Sequence, residues 1–199
     1  MTKYKNKCIT IFILIFVLTA FAPSFSADTS RQHDLRNLDW GMNKMYAKSA
    51  TNAKLVDETE NELYYQIKIN RYKATLYLYF LSDKLSMAAT WFENKYVNQN
   101  NYLSEFDVIQ DALVNKYGKA LYEKNVWVDK VTDNEKHNYG RAVSRGELEI
   151  ISKWELPETI ILHKLTGENY KIKHYIKYNS TRYKEKLDNK TKKQIKDSL

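Results

Sequence analysis

From residue 28 onward the chain shows one pattern twice: a stretch with helical spacing, then a run in which apolar and polar positions alternate. The first helix is predicted after Trp40-Gly41-Met42, with Asn43 as N-cap and an end near Ala50. Strands are predicted at 54–59, 62–70, 73–81 and 85–94, where β-branched and aromatic residues recur at every second position. A two-residue turn at Asn70-Arg71 pairs Ile67 with Ala74, Tyr65 with Leu76 and Leu63 with Leu78. A turn at Asp83-Lys84 pairs Phe80 with Met87, Leu78 with Ala89 and Leu76 with Trp91. Cross-strand partners point to one face, and both turns place the same apolar set there.

The second helix carries Tyr102, Leu103, Phe106, Ile109, Leu113 and Tyr117 at helical spacing, with Ser104 and Asp107 as a capping pair and Gly118 as its end. Strands follow at about 124–131, 141–145, 147–155, 158–165 and 169–178, with 132–140 as a polar loop. Turns at Leu156-Pro157 and Gly167-Glu168 bring Leu148, Ile150 and Trp154 to the face of Ile161, Leu165, Tyr170, Ile172 and Ile176. Glu149, Lys164 and Lys171 then form a charged row on the opposite face. The fold class that follows is α+β: two helix-plus-antiparallel-sheet units in tandem, 28–98 and 99–178, together one compact domain.

The ends differ from this body. Met1–Lys7 is basic, Cys8–Ala22 is an apolar run, and Pro23-Ser24-Phe25-Ser26-Ala27 breaks it, the layout of a signal peptide cleaved after Ala27 or, nearly as well, after Ser26. The run is shorter than the roughly 20 apolar residues a spanning helix needs. The protein is therefore expected to be exported, periplasmic or secreted. Cys8 opens the apolar run rather than closing it, which argues against a lipoprotein. The remaining 172 residues contain no cysteine, hence no disulfide, thiolate nucleophile or Cys-ligated metal. Residues 179–199 form a basic flexible tail with seven Lys plus Arg against three acids, which supplies +4 of the +5 that remains once residues 1–27 are removed. Contact with a membrane surface or an anionic polymer is expected of this tail. The near-neutral body and the export signal argue against nucleic acid as a partner.

Candidate chemistry is sparse. His163 and His174 fall on one inferred face as diagonal neighbours about 7–8 Å apart, and no third metal ligand shares that face, so they read as polar residues at a core margin. His33 and His137 lie in loops. Asp57, Glu58, Glu60 and Glu62 cluster at a hairpin tip, and Glu147, Glu149 and Glu155 share a strand face with Lys153; both sets read as solvated exteriors. No Gly-x-Ser-x-Gly elbow, phosphate loop or dinucleotide fingerprint is present. No cofactor or metal is expected.

Tyrosine is abundant, with 16 in the chain. On the face opposite the first core, Tyr64, Tyr77, Tyr79 and Phe92 line adjacent strands beside Thr75, Thr90, Gln66 and Lys68. Tyrosine offers large, stiff contact area with a polar tip, as binding surfaces require. These four are the candidate binding residues for a protein or envelope-polymer partner.

The segment Trp40-Gly41-Met42-Asn43-Lys44 resembles the Trp-Gly-Met-Ser/Thr opening of uncharacterised exported bacterial proteins. It is also similar to the Gly-Met-Thr helix start of small outer-membrane assembly lipoproteins, and the secreted β-lactamase inhibitor protein shares the tandem architecture. The resemblance implies a two-unit α+β fold whose sheet face grips a protein partner, with no catalytic residue to carry over. The expectation is a non-enzymatic binding module of the envelope or secreted space. The alternatives are an envelope hydrolase with a site between the two units, and a structural accessory of envelope assembly.

Overall fold

The computed structural model describes residues 35, 37–128 and 138–183 and the single positions 185, 186, 189, 192 and 196. Residues 1–27, expected as a signal peptide with Cys8, the histidines His33 and His137, residues 132–137 of the expected loop 132–140 and much of the expected tail lie outside the described residues; Tyr139 and Gly140 of that expected loop belong to a helix.

The elements run α1 (Lys44–Ala50), β1 (Lys54–Glu58), β2 (Glu62–Ile69), β3 (Tyr72–Leu81), β4 (Lys84–Phe92), α2 (Asn100–Tyr117), β5 (Tyr122–Trp127), α3 (Tyr139–Arg145), β6 (Leu148–Glu155), β7 (Thr159–Glu168) and β8 (Lys171–Ser180). All eight strands belong to one antiparallel sheet, ordered β1-β2-β3-β4-β8-β7-β6-β5. The two strand runs therefore do not build separate sheets. β4 pairs with β8, Thr90 opposite Ile176 and Trp91 opposite Tyr175, so two ladders that would each end in bare N–H and C=O groups satisfy each other.

The helices share one side of this sheet. Ala47 of α1 and Ile109 and Leu113 of α2 pack with Leu63, Leu76, Leu78, Ile161 and Ile176. Phe106 of α2 and Ala142 and Val143 of α3 pack with Leu148 and Leu165. As expected, Asn43 caps α1, its Oδ1 accepting the Tyr46 N–H at 2.9 Å, and Gly118 ends α2 at a φ of 80°. Ser104 and Asp107 are not a cap: α2 starts earlier, at Asn100, whose N–H goes to Asn98 Oδ1 at 3.0 Å. The Trp40-Gly41-Met42 segment is a structural clamp. Trp40 Nε1 donates to Thr159 Oγ1 at 2.7 Å, the Gly41 N–H donates to the Leu85 carbonyl, and the Leu85 N–H to the Met42 carbonyl.

The register of β2 on β3 is the expected one, Ile67 opposite Ala74, Tyr65 opposite Leu76 and Leu63 opposite Leu78. The next hairpin is not. Its turn is Ser82-Asp83, both with positive φ (51° and 57°), as a mirror-image two-residue turn demands, and the ladder shifts between Tyr79 and Phe80. Leu76 consequently faces Thr90, and Ala74 faces Phe92. In β4 this exchanges the faces: Ala88, Thr90 and Phe92 turn to the helix side, Met87, Ala89 and Trp91 to the outer side.

In the second half the β7–β8 turn lies two residues later than expected, at Asn169-Tyr170. An even displacement keeps parity, so Trp154, Ile161, Leu165 and Ile176 remain core residues. Tyr170 moves from the expected core face to the turn and is 68 % exposed. Gly167 serves packing instead of turning: a Cβ there would stand 2.2 Å from the Val143 carbonyl oxygen of α3. Residues 141–145, expected as a strand, belong to α3, because Ala142, Val143 and Ser144 are buried against β6 and β7 and left-handed Gly146 stops the helix.

Candidate functional site

Period-2 alternation in β2 and β3 sends Tyr64, Tyr77 and Tyr79 to the side of the sheet away from the helices, where each is half-buried. The slipped β4 register adds Trp91, and the β4–β8 pairing adds Tyr175. The rings form a continuous row across four strands. Tyr64 meets Tyr77 edge-on at 4.8 Å, Tyr77 meets Trp91 at 6.5 Å, and Trp91 leans on Tyr175 at 4.5 Å between centroids. Ala89 lies opposite Tyr77 and Lys177 and leaves a low point beside the row. The Tyr64 hydroxyl donates to the Glu62 carboxylate, and this bond, with burial second, pushes the phenol up to about 12. Burial raises Tyr77 and Tyr175 as well. Around the row lie charges, including Lys68, Lys73, Lys173 and the Lys164–Glu149 pair at 2.8 Å.

Phe92 does not join this face. It packs on the helix side and stacks on His174 at 4.2 Å; the one-residue slip in the β3–β4 hairpin is the cause. Behind it is a buried polar chain. Glu105 Oε1 accepts from His174 Nδ1 at 2.7 Å, the two Nε2 atoms of His174 and His163 lie 2.8 Å apart, and His163 Nδ1 lies 2.9 Å from Gln110 Oε1. Glu105 Oε2 accepts Asn94 Nδ2 at 2.8 Å and the Tyr96 hydroxyl at 2.7 Å. Phe106 lies flat on His163 at 3.8 Å. The histidines are 0 % and 2 % exposed, core residues and not marginal ones.

The protons of this chain can be counted. With Gln110 Nε2 donating to Glu123 at 2.9 Å, Gln110 Oε1 requires a proton on His163 Nδ1, Glu105 requires one on His174 Nδ1, and the Nε2 contact requires one more. Three protons on two imidazoles make a single positive charge that balances Glu105. Burial opposes it. It lowers His163 well below the usual histidine value, with the neighbouring His174 adding to the effect, and lowers His174 against the opposing pull of Glu105. In the neutral pair His163 Nδ1 accepts, and Gln110 must rotate to present its NH2. A fourth proton would put N–H against N–H at 2.8 Å.

The Nε2 atoms face each other and Glu105 sits on the far nitrogen of His174, so the three do not converge on one point. No group of three or more His, Cys, Asp or Glu side chains among the described residues is arranged to hold a metal ion. The carboxylates weighed from sequence pair with surface cations: Glu58, at the β1–β2 hairpin with Asp57, Glu60 and Glu62, binds Lys44 at 2.9 Å and also Lys48, Glu147 binds Arg145, and Glu155 binds Lys153. A cleft of about 460 Å³ between α2 and β5–β6 is lined by Phe106, Gln110, Glu123, Asn125 and Ser152 among others, and Gln110 connects it to the histidine chain.

Glu105 was legible as an anomaly, an acid three residues after Tyr102 and four before Ile109 on an apolar stripe. Trp91 was hidden by the slipped register, and Tyr175 by a strand pairing that no local turn announces. Comparison with family models, curated proteins and solved structures found no match to this chain.

Proposed function

We propose that the protein is an exported, non-enzymatic binding module whose outer sheet face docks a protein partner. The observation that carries this reading is the row Tyr64–Tyr77–Trp91–Tyr175, which runs across β2, β3, β4 and β8 on the side away from all three described helices. Rigid aromatic anchors inside a rim of charged side chains are the anatomy of protein interfaces. The apolar run and small-residue break at 8–27 support export. The two four-stranded meanders, β1–β4 and β5–β8, each preceded by helix, support a tandem origin of the halves. The resemblance of Trp40–Lys44 to exported envelope proteins points the same way. The test is capture from envelope extract with Tyr77→Ala/Trp91→Ala beside the unaltered protein. The reading expects a captured protein lost with the double variant while thermal stability is nearly retained. Equal capture, or a collapse of folding, defeats it.

A hydrolase reading has one observation in its favour, the cleft at Gln110 against the buried histidine chain. Ester or amide turnover abolished by Gln110→Ala would support it.

A further inference from the structure

Where the β3–β4 hairpin meets the chain leaving β8, a cavity of about 320 Å³ is lined by Leu81, Ser82, Lys84, Arg182, Tyr183 and Lys186. Three of these six are cations, and no carboxylate is among the described residues that line the space. The acid next in sequence, Asp83, is committed elsewhere: its Oδ1 accepts the Lys44 backbone N–H at 3.0 Å. It lines a neighbouring cavity in which Lys44 and Lys48 both pair with Glu58. Lys84, Arg182 and Lys186 have no such counter-charge among the described residues. The Arg182 guanidinium lies 5.7 Å from the centre of the Tyr183 ring. That ring has a built seat: its hydroxyl approaches Gly41 so closely that a Cβ there would be 3.0 Å away, and Gly41 holds a φ of 84°.

Like charges gathered without a counter-ion concentrate anions. A carboxylate is matched by one guanidinium fork, whereas three cations match a phosphoryl group carrying close to two negative charges. We propose that this cavity binds a phosphoryl group through Lys84, Arg182 and Lys186, with the Ser82 and Tyr183 hydroxyls as further donors. The site is separate from the aromatic row and does not depend on it. Free phosphate and a phospholipid headgroup share this chemistry.

The experiment follows the amide shifts of residues 82–84 in the full-length protein titrated with inorganic phosphate at constant ionic strength. Saturable shifts are expected, weakened at least tenfold by Lys84→Ala/Arg182→Ala and changed less than twofold by Lys68→Ala on the outer face. A parallel flotation with phosphatidic acid vesicles, against phosphatidylcholine alone, separates the sources. Loss of vesicle binding in the double variant assigns the site to a headgroup. Vesicle binding unaltered while phosphate binding is lost assigns it to the free anion. Phosphate shifts equal in the double variant and the unaltered protein, or binding of neither probe, would overturn the proposal. The substituted side chains are exposed, and an unchanged thermal midpoint verifies the fold.

Discussion

On the helix side of the sheet, His163 and His174 are buried almost completely and every ring nitrogen has a hydrogen-bonding neighbour. On the outer side, Tyr77 and Trp91 are half-buried and held chiefly by other rings. Both faces are aromatic, yet the physics differs. A polar group sealed from water must be matched atom by atom, and each unmatched atom costs about 1–3 kcal/mol. A phenol at a half-open face keeps water at its hydroxyl and loses little when a neighbour is removed. Aromatic content therefore says little about role; the solvent on the far side of the ring decides.

The sharpest way to break this contrast is to remove the acid that organises the buried side. Glu105→Ala leaves His174, Tyr96 and Asn94 facing an empty site and should cost about 3–5 kcal/mol in urea denaturation. A loss near zero would mean that water reaches the chain and that the two faces are alike.

A second test uses neighbours in sequence that face opposite ways. Phe92→Ala removes the ring stacked on His174 and should cost about 2–3 kcal/mol. Trp91→Ala, one residue away, should cost less than about 1.5 kcal/mol while removing the centre of the outer row. Reversed values would restore the register read from local turns.

The third test is pH. Burial depresses both histidines in the fold, so below the ordinary value of 6.5 the unfolded chain binds more protons than the folded one. Stability is then lost as pH falls. For each ring that stays neutral in the fold the slope is about 1.4 kcal/mol per pH unit, or about 2 kcal/mol at pH 5. His163 should follow this slope closely and His174 less so, since Glu105 opposes its shift. Denaturation series at pH 7, 6 and 5 measure it, and His163→Phe should flatten the dependence.

Much of the fold follows from local pattern: α1 with its Asn43 cap, α2 ending at Gly118, the β2–β3 register and the core set Trp154, Ile161, Leu165 and Ile176. These are short-range consequences of periodicity and turn chemistry, which neighbouring residues carry in full. Tyr64, Tyr77 and Tyr79 share a face for the same reason. Tertiary structure alone decided that β4 and β8 join, because edge pairing depends on strands far apart in the chain and leaves no mark at a turn. It also decided the helix at 139–145, where burial against β6 and β7 outweighs local preference. The β3–β4 shift belongs here too: one extra residue in a ladder exchanges the faces of a whole strand, sending Trp91 out and Phe92 in. The histidines could be seen as neighbours from their strands, but only the descent of α2 onto the sheet gave them Glu105 and Gln110 and closed the chain against water.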